Sequence, residues 1–459
     1  MKKLLFLLLI AVCAVSCGKD ENGIGNNEYS ISINPTSLIF ENGADSKDVT
    51  ITSSDNWYLS GVESWCTPSK TYGYNGDVIS FSVQANTSIE ERSATYTFTC
   101  GDKTAHITIS QNAGKIETIN ITTKGTLGGV LTEKGLIDAT NLKITGVLND
   151  VDFLFIYQMM LKLKYLDISE VSITTLPTRA FYNSTNVESL ILPNILTIIE
   201  DYTFSKSKLK YISIPQSIET IGIAAFQGCS ELAIVTFENG SNLKTIGQKA
   251  FSVCPLTAIE IPASVETIEA EAFQGCSKLA IVTFENGSNL KTIGGYYNFY
   301  DYVTTHYSSN GFGAFYGCPL TAIEIPASVE TIDAAAFQGC SKLAIVTFEN
   351  GSNLKTIGGA SDFSFNTTYY YGAFYGLKNL MTFDASACTK LTSIGVRAFH
   401  SSSALQLFKI GTAIPPTCEG GAFYGINPYS VLKVPSGCAD SYRADKEWGR
   451  FANISGLDE

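Results

Sequence analysis

Hydrophobic residues recur along most of this chain in an order that is neither helical nor strictly alternating. In the copy at 256–273, two isoleucines, Ile259 and Ile261, come just before Pro262. Leu256, Ile259 and Ile261 are spaced by three and then by two residues, which predicts a short strand entered through a bend. Proline would end the strand, because it has no N–H to donate to a sheet. A Val-x-x-Ile segment and then Phe273 follow, and we expect these to line a second and a third side of a coil.

The repeat is set by a small residue, usually alanine, followed by phenylalanine, and most copies lie 22 to 25 residues apart. Longer segments recur letter for letter: 232–247 returns at 279–294 and again at 343–358. One coil cannot bury its apolar side alone, whereas stacked coils share a continuous core. The phenylalanines of the repeat are Phe181, Phe204, Phe226, Phe251, Phe273, Phe315, Phe337, Phe374, Phe399 and Phe423.

These repeats resemble the BspA-like leucine-rich repeats of bacterial surface proteins, over residues 164–435. The resemblance implies a right-handed solenoid and a role in adhesion or recognition. Terminal coils need caps over their exposed core. We expect one at 114–163, and another at 436–459 that buries Tyr442, Trp448 and Phe451.

Residues 29–113 have a different pattern, in which short alternating runs are separated by polar turns, as is typical of a small β-sandwich. The layout of Trp57, Trp65, Arg92 and Gln111 resembles a BACON domain, an Ig-like module of secreted bacterial proteins. The resemblance implies either carbohydrate binding or a spacer role. Trp57 and Trp65 are candidates for stacking on sugars, although a tryptophan beside a strand is more often core. Arg92 is interpreted as a structural partner at a strand edge.

The predicted fold is therefore mainly β, with an N-terminal Ig-like β-sandwich followed by a leucine-rich repeat solenoid. The solenoid is expected to have short strands and short helical turns and to be capped at both ends.

Residues 1–17 are predicted to be a lipoprotein signal peptide, with two lysines, an apolar run too short to span a bilayer, and small residues before Cys17. This ending resembles a lipobox, so Cys17 is the predicted lipidation site; a plain secretory signal is the alternative. Residues 18–28 are interpreted as a flexible tether. Its first residues, 18–21, resemble an acidic tag that directs lipoproteins to the outer face. We therefore expect an outer-membrane lipoprotein exposed on the cell surface.

Two insertions interrupt the repeat at the same position of coils that lie two repeats apart, at 294–313 and 358–372. Both are bracketed by glycines and are rich in tyrosine, serine, glycine and asparagine, the mixture that antibody paratopes use. Insertions in repeat proteins map to one face, which is often the binding face. The alternative is that these rings pack on the solenoid. The candidate ligand-binding residues are Tyr296, Tyr297, Phe299, Tyr300, Tyr302, His306, Tyr307, Phe363, Phe365, Tyr369, Tyr370 and Tyr371.

The chemistry-bearing residues are sparse. Three histidines lie far apart in the sequence, and no metal-ligand spacing, nucleophile motif or phosphate-binding loop is present. We therefore expect no enzyme activity, no cofactor and no metal. With 31 basic and 43 acidic residues the formal charge is −12, which argues against nucleic acid and against docking on anionic lipid.

Five cysteines lie three residues after a repeat phenylalanine, so stacking would place them in one column. Disulfides between neighbours are one interpretation, and buried free thiols the favoured one. Cys66 and Cys100 in the sandwich are left open. The column residues are Cys229, Cys254, Cys276, Cys318 and Cys340.

The predicted function is adhesion or recognition of a host or neighbouring-cell protein through the tyrosine-rich insertions. A glycan-binding accessory lipoprotein of a nutrient-capture system is the first alternative, and a passive surface spacer is the second.

Overall fold

The computed structural model describes residues 28–295, 312–364 and 367–459. It divides into two compact units, one of residues 1–86 and 90–113 and the other of 87–89 and 114–459.

The N-terminal unit is a two-sheet sandwich. One sheet has the strand order β1-β3-β7-β5 and the other β2-β9-β8-β4-β6. Alternate residues of each strand point inward and build a core that includes Phe40, Trp57, Phe81 and Phe98, as the period-two pattern predicts. The strands are β1 (Ile31–Asn34), β2 (Ser37–Phe40), β3 (Asp45–Ser53), β4 (Trp57–Ser60), β5 (Cys66–Pro68), β6 (Tyr72–Gly73), β7 (Val78–Val83), β8 (Arg92–Cys100) and β9 (Lys103–Gln111).

The second unit opens with a cap that packs on the first coils. Helix α2 begins at an Asn149 capping box, in which the Asn149 side chain accepts from the N–H groups of Val151 and Asp152. Phe153 of α2 lies edge-on to Phe181, the first repeat phenylalanine. The elements of this cap are β10 (Glu117–Ile121), α1 (Leu127–Glu133), β11 (Asn141–Gly146), α2 (Asp150–Met159) and β12 (Tyr165–Val171).

The repeats form a parallel β-solenoid in which each coil has a longer first strand and a two-residue second strand. The first strands build one side, which we call the strand face. They are β13 (Ser189–Ile191), β15 (Tyr211–Ile214), β17 (Ile234–Phe237), β19 (Ala258–Ile261), β21 (Ile281–Phe284), β23 (Ala322–Ile325), β25 (Ile345–Phe348), β29 (Thr382–Ala385), β31 (Leu407–Ile410) and β33 (Val431–Val434).

The second strands form one continuous nine-stranded sheet on another side of the coils. They are β14 (Ile198–Ile199), β16 (Thr220–Ile221), β18 (Thr245–Ile246), β20 (Thr267–Ile268), β22 (Thr292–Ile293), β24 (Thr331–Ile332), β26 (Thr356–Ile357), β30 (Ser393–Ile394) and β32 (Thr417–Cys418).

The repeat phenylalanines form a stack on the third side, as the spacing predicts. From Phe181 to Phe423, successive ring centroids lie 5.0–5.5 Å apart and their planes are within 15° of parallel. Backbone hydrogen bonds also link neighbouring coils on this side; for example, the N–H of Phe226 donates to the carbonyl of Ala250 in the next coil at 2.7 Å. All three sides of a coil therefore carry hydrogen bonds to a neighbouring coil.

The column cysteines are buried free thiols, so the favoured interpretation is confirmed. Each thiol donates to the backbone carbonyl of the preceding coil's phenylalanine; Cys276 reaches Phe251 O at 3.1 Å. Burial raises the pKa of Cys276 to about 12, so the thiol keeps the proton that it donates. In the sandwich, Cys66 and Cys100 are also buried and free.

The coils alternate in charge beside the second strands. The residues that precede the six consecutive second strands β16, β18, β20, β22, β24 and β26 are Glu219, Lys244, Glu266, Lys291, Glu330 and Lys355, in coil order. Glu266 pairs with Lys291 at 3.1 Å and with Lys244 at 3.5 Å. Exposed pairs contribute at most about 1 kcal/mol each, so this column sets the order of coils more than it stabilises them.

The far end is closed by α3 (Ala439–Ala444), a 3-10 helix (Trp448–Arg450) and β34 (Asn453–Gly456). Tyr442, Trp448 and Phe451 are buried, as predicted for this segment. The indole N–H of Trp448 donates to Pro416 O at 2.9 Å, which satisfies its one polar group. β34 continues the ladder from β33.

Candidate functional site

The ladder of the strand face is interrupted at two places in the described residues. β17 and β19 belong to different sheets, and so do β21 and β23, whereas β19 pairs with β21 and the strands from β23 onward form one six-stranded sheet. A glutamate that follows the first strand of one coil binds the preceding coil: Glu285 accepts from the Ala263 N–H and Glu349 from the Ala327 N–H, both at 2.9 Å.

An exposed aliphatic row runs along this face, and the sequence analysis missed it. Ile234, Ile281 and Ile345 occupy the first position of their strands and are exposed, as is Tyr211 in the same row. A depression of about 420 Å³ lies where the ladder is interrupted between β21 and β23. The repeated Ile-Val-Thr-Phe could have revealed the row, since alternate residues of a strand face opposite ways.

The third positions of the strands lie outward next to this row. Glu260 and Glu324 are exposed, and within the described ranges neither forms an ion pair. The strand face therefore combines isoleucines, threonines and unpaired carboxylates. The residues at these third positions include Thr236, Glu260, Thr283, Glu324 and Thr347.

The corner that carries both insertions is here called the insertion flank. Of the first insertion, residues 296–311 lie outside the described residues, and with them the candidates Tyr296, Tyr297, Phe299, Tyr300, Tyr302, His306 and Tyr307. The second insertion is an antiparallel hairpin of β27 (Gly359–Ser364) and β28 (Thr367–Gly372), with Gly359 opposite Gly372. Phe363, Tyr369 and Tyr370 belong to its strands, and Phe365 lies outside the described residues.

Tyr371 is 4% exposed and packs in a small apolar cluster with Ala334 and Ala335. For this residue the structure favours the packing alternative over display to a ligand. The Tyr371 ring packs the base of the hairpin against the preceding coil, to which Ala334 and Ala335 belong.

Glycines hold the necks of both insertions against neighbouring coils. A Cβ at Gly313 would lie 2.1 Å from Ala335 O, and one at Gly359 would lie 2.2 Å from Val396 O. No other residue allows so close a backbone approach. Gly295 and Gly372 meet the neighbouring backbone in the same way, at 1.7 Å and 2.0 Å. Both insertions therefore leave the solenoid from fixed positions.

One buried and one half-buried carboxyl group also hold the neck of the first insertion. Glu271 accepts from the Phe312 N–H and lies 3.5 Å from Lys249, and Asp333 accepts from the Gly295 N–H. Burial is the main cause that raises the pKa of both groups, against the lowering effect of these partners.

Aromatic side chains follow the repeat phenylalanine on the insertion flank. The rings of Tyr375 and His400 stack at 4.9 Å, and those of His400 and Tyr424 at 5.2 Å. At the first insertion, Phe312 lies 4.0 Å from Tyr316. Sequence reasoning missed these residues, although their shared position after the phenylalanine was available as a signal. Burial, and then nearby Arg397, lowers the pKa of His400.

The two tryptophans of the sandwich are not a sugar-stacking pair. Trp57 is fully buried, and its indole N–H donates to Tyr74 O at 3.0 Å, so its assignment as a glycan contact was wrong. Trp65 is half-buried, and the Arg92 guanidinium covers its ring at 4.6 Å. Arg92 also donates to Gln111 Oε1 at 2.7 Å, which confirms its structural role.

Over the part of the chain that the structure describes, no group of three His, Cys, Asp or Glu side chains could hold a metal ion. In the same residues, no helix is both long enough and apolar enough to cross a bilayer.

Comparison with known families gives two matches. The BspA type leucine rich repeat region matches at 152–280, 197–308 and 308–440, in six copies. This chain is a BspA-type leucine-rich repeat protein. Its N-terminal unit matches the BACON family, described as "Putative binding domain, N-terminal", at residues 55–112. No curated protein matches the chain.

Several solved structures of low identity are similar to this chain. A leucine-rich repeat protein of Bacteroides ovatus is 19% identical over 79% of this chain and 90% of its own, with a TM-score of 0.36. A leucine rich cell surface protein of Faecalibacterium prausnitzii is 19% identical over 79% and 86%, with a TM-score of 0.32. A Bacteroides ovatus GH5 xyloglucanase is 22% identical, with a TM-score of 0.18; the match covers 26% of each chain, so this chain spans about a quarter of that enzyme.

Proposed function

We propose that this protein is a surface-exposed lipoprotein that binds a protein of a host or a neighbouring cell through the insertion flank of its solenoid. The observation that carries the proposal is the pair of insertions at equivalent positions two coils apart. At the strand spacing of stacked coils, their bases lie on the order of 10 Å from each other.

Fixed necks support a recognition role for the insertions. Glycine contacts at Gly313 and Gly359 hold the base of each insertion against a neighbouring coil, and Tyr371 packs at the base of the second. Ordering a loop on binding costs affinity, so segments with fixed bases bind with a smaller entropic loss.

The composition of the flank supports a macromolecular partner. Tyrosine gives a large contact area with few rotatable bonds, and the small polar residues between the tyrosines adapt to the partner. The stack of Tyr375, His400 and Tyr424, in which Tyr424 is exposed and the other two are half-buried, extends the aromatic surface beyond the insertions. The strand face adds exposed isoleucines and the unpaired Glu260 and Glu324, which suit a partner that carries basic residues.

The location is part of the proposal. Cys17 would carry the lipid, and residues 18–28 would act as the tether, with the sandwich between the anchor and the solenoid along the chain. Labelling with a radioactive fatty acid tests the anchor, since Cys17→Ala removes the label. Protease treatment of intact cells tests whether the repeats are outside.

The binding proposal is tested by removing both insertions. In the test variant, 294–313 and 358–372 are each replaced by the short connection found at 269–271 of a regular coil, which restores the regular spacing of isoleucine and phenylalanine. We expect the unaltered chain from Lys19 onward to capture a defined surface protein from intact host or neighbouring cells, and the variant to lose at least tenfold in apparent affinity. Tyr429→Ala, at an exposed tyrosine outside the insertions, is the matched control and should bind normally.

Unchanged capture by the double deletion would contradict the proposal. If neither form captures anything, the passive spacer is the better account. The glycan-binding accessory role is the second candidate, because the N-terminal unit matches a family described as a binding domain. A glycan array distinguishes it: sugar binding that survives the double deletion would place the function in the sandwich.

A further inference from the structure

The sheet of second strands carries a column of charges that is complementary to its own reverse. The strands are in register, so residues at the same position of successive coils lie about 4.8 Å apart. Glutamate and lysine alternate before the second strands from β16 to β26, and a threonine precedes the next second strand on either side. In coil order this charge column consists of Thr197, Glu219, Lys244, Glu266, Lys291, Glu330, Lys355 and Thr392.

Contacts within the chain leave these charges accessible. Glu266 bridges Lys244 and Lys291, yet the side chains of Lys291 and Glu266 remain 58% and 40% exposed. Glu219 is exposed and forms no ion pair within the described ranges. Exposed pairs of this kind hold a charge only weakly, so each charge can also face an opposite charge on another molecule.

We propose that this sheet binds the same sheet of a second copy of the chain, with the two solenoids antiparallel. Reversing the charge column puts a lysine where each glutamate was and a glutamate where each lysine was. A two-fold axis that runs along the strands, between β20 and β22, therefore places Glu219 opposite Lys355 of the second copy. Next to the axis it places Glu266 opposite Lys291. Every charge of the column meets an opposite charge, and the end threonines meet each other.

Symmetry separates this arrangement from the others. If the two-fold axis ran along the solenoid, the copies would be parallel and each residue would face itself, glutamate against glutamate. Like charges that lie directly opposite each other are destabilising. A parallel arrangement shifted by one coil restores opposite charges, but repeating that operation produces an open filament instead of a closed pair. The antiparallel pair is both closed and complementary.

The alternation also argues against partners of another kind. A nucleic acid or an anionic lipid surface would meet a carboxylate at every second coil, where it needs lysine or arginine. The outward residues next to the charge column are half-buried threonines, in register from Thr220 to Thr356, and these supply no apolar anchor for an unrelated protein. A second copy supplies the same spacing and the reversed order of charges.

The contact is expected to be weak and sensitive to salt. In the antiparallel pair every second strand except β32 faces a strand of the second copy. With about 4.8 Å per strand and about 13 Å for a width of four residues, the two copies would bury on the order of 1,000 Å² in total, which is typical of transient contacts. Complementary charges contribute more to specificity and to the rate of association than to affinity.

An antiparallel contact suits copies on two cells that face each other, because the lipid anchor proposed at Cys17 precedes the solenoid in the chain. This consequence rests on the proposed location, whereas the contact itself does not. The charge column is also separate from the insertion flank, so self-association is a second binding function beside the one proposed for the insertions.

The test is sedimentation velocity of the chain from Lys19 onward, at up to about 200 µM protein and at about 50 mM and 500 mM salt. We expect the parent to dimerise at the lower salt and to dissociate at the higher, since salt screens exposed charges. Glu219→Lys places a lysine against Lys355 of the second copy at two symmetric places and should weaken dimerisation at least about fivefold. Lys355→Glu should weaken it to the same extent.

The combination of these two substitutions is the decisive variant. Glu219→Lys with Lys355→Glu restores opposite charges at both places, so dimerisation should return to within about twofold of the parent. Positions 219 and 355 lie roughly 24 Å apart along one solenoid, and substitutions at such a distance act independently within a monomer. Rescue therefore reports a contact between copies. Both side chains are exposed, so all variants should keep the melting temperature of the parent within a few degrees.

Lys278→Glu reverses an exposed charge outside the charge column and should dimerise like the parent. The proposal is overturned if the parent stays monomeric at the lower salt, or if Glu219→Lys dimerises as strongly as the parent. It is also overturned if the double variant is as weak as either single variant. These substitutions leave both insertions unchanged, so self-association and the capture of another protein can fail separately.

Discussion

The thiol of Cys276 donates a hydrogen bond to the backbone carbonyl oxygen of Phe251, 3.1 Å away in the preceding coil. The same carbonyl also accepts from the Cys254 N–H at 3.2 Å. Serine plays the same part elsewhere in the column, where Ser402 donates to Phe374 O at 3.5 Å. The column is therefore a row of donors as well as a row of small apolar groups.

This contact predicts an unusual order of stability. Cys276→Ala removes the donor and part of the packing and should lower the free energy of unfolding by roughly 1–2 kcal/mol. Cys276→Ser keeps a donor and should lower it less, although serine is the more polar residue. Melting temperature and urea denaturation measure both variants. A serine variant less stable than the alanine variant would show that the column is held by apolar packing alone.

The neck of the hairpin predicts a strict requirement for glycine. Gly359→Ala would put a methyl group 2.2 Å from Val396 O, so the hairpin or the next coil must shift, at a cost of about 1–3 kcal/mol. Gly420→Ala is the control, because nothing lies within 4 Å of its added Cβ. Thermal unfolding compares the two, and equal melting temperatures would mean that the neck is not a fixed contact.

The buried Glu271 predicts a pH dependence of known sign. Its pKa in the fold is raised above the ordinary value of 4.5, mainly by burial, so the folded state holds the proton more tightly than the unfolded chain. Its contribution to stability is complete below pH 4.5 and declines as pH rises through the raised pKa. Glu271→Gln should therefore gain stability relative to the parent between pH 4 and pH 7. Urea denaturation of the parent and the variant at pH 4 and pH 7 measures the difference. A variant that loses stability relative to the parent as the pH rises would contradict the prediction.

His400 predicts the opposite sign. Burial and Arg397 lower its pKa below 6.5, so protonation favours the unfolded state, and stability should fall as pH drops through this range. His400→Phe keeps a ring between Tyr375 and Tyr424 and removes the titration. Between pH 7 and pH 5 we expect the parent to lose more stability than the variant, by less than about 1 kcal/mol because the site is partly exposed. Equal losses of stability in the parent and the variant would mean that other groups cause the pH dependence.

The repeat was predictable because buried residues obey strict spacing. The stack from Phe181 to Phe423, the outward Glu260 and the buried Trp448 all follow from the pattern of apolar and polar positions. Surface aromatics obey no such rule. The sequence analysis named Trp57 as a candidate sugar contact and the core as the commoner place for it; Trp57 is buried, and its neighbour Tyr58 is the exposed residue.

The difference between Trp57 and Tyr58 has a simple physical origin. Successive residues of a strand face opposite ways, so a shift of one position exchanges the core for the surface. The alternation around Trp57 and Leu59 places both side chains inside. The pairing of Tyr58 with Tyr72 depends on strand register, which requires coordinates. The row of Ile234, Ile281 and Ile345, in contrast, was available from the repeated Ile-Val-Thr-Phe, because alternate residues of a strand face opposite ways.

The alternation of glutamate and lysine beside the second strands limits how such a protein can change in length. Leu279 lies 47 residues after Leu232, of which it is a copy, and this distance is the combined length of two successive coils of unequal length. Loss of a single coil would bring lysine beside lysine, or glutamate beside glutamate, and would leave a glutamate such as Glu285 without its partner N–H. Duplication or deletion within the gene is therefore expected to change the length of this solenoid by an even number of coils. Such a change preserves the distance between two insertions unless it falls between them.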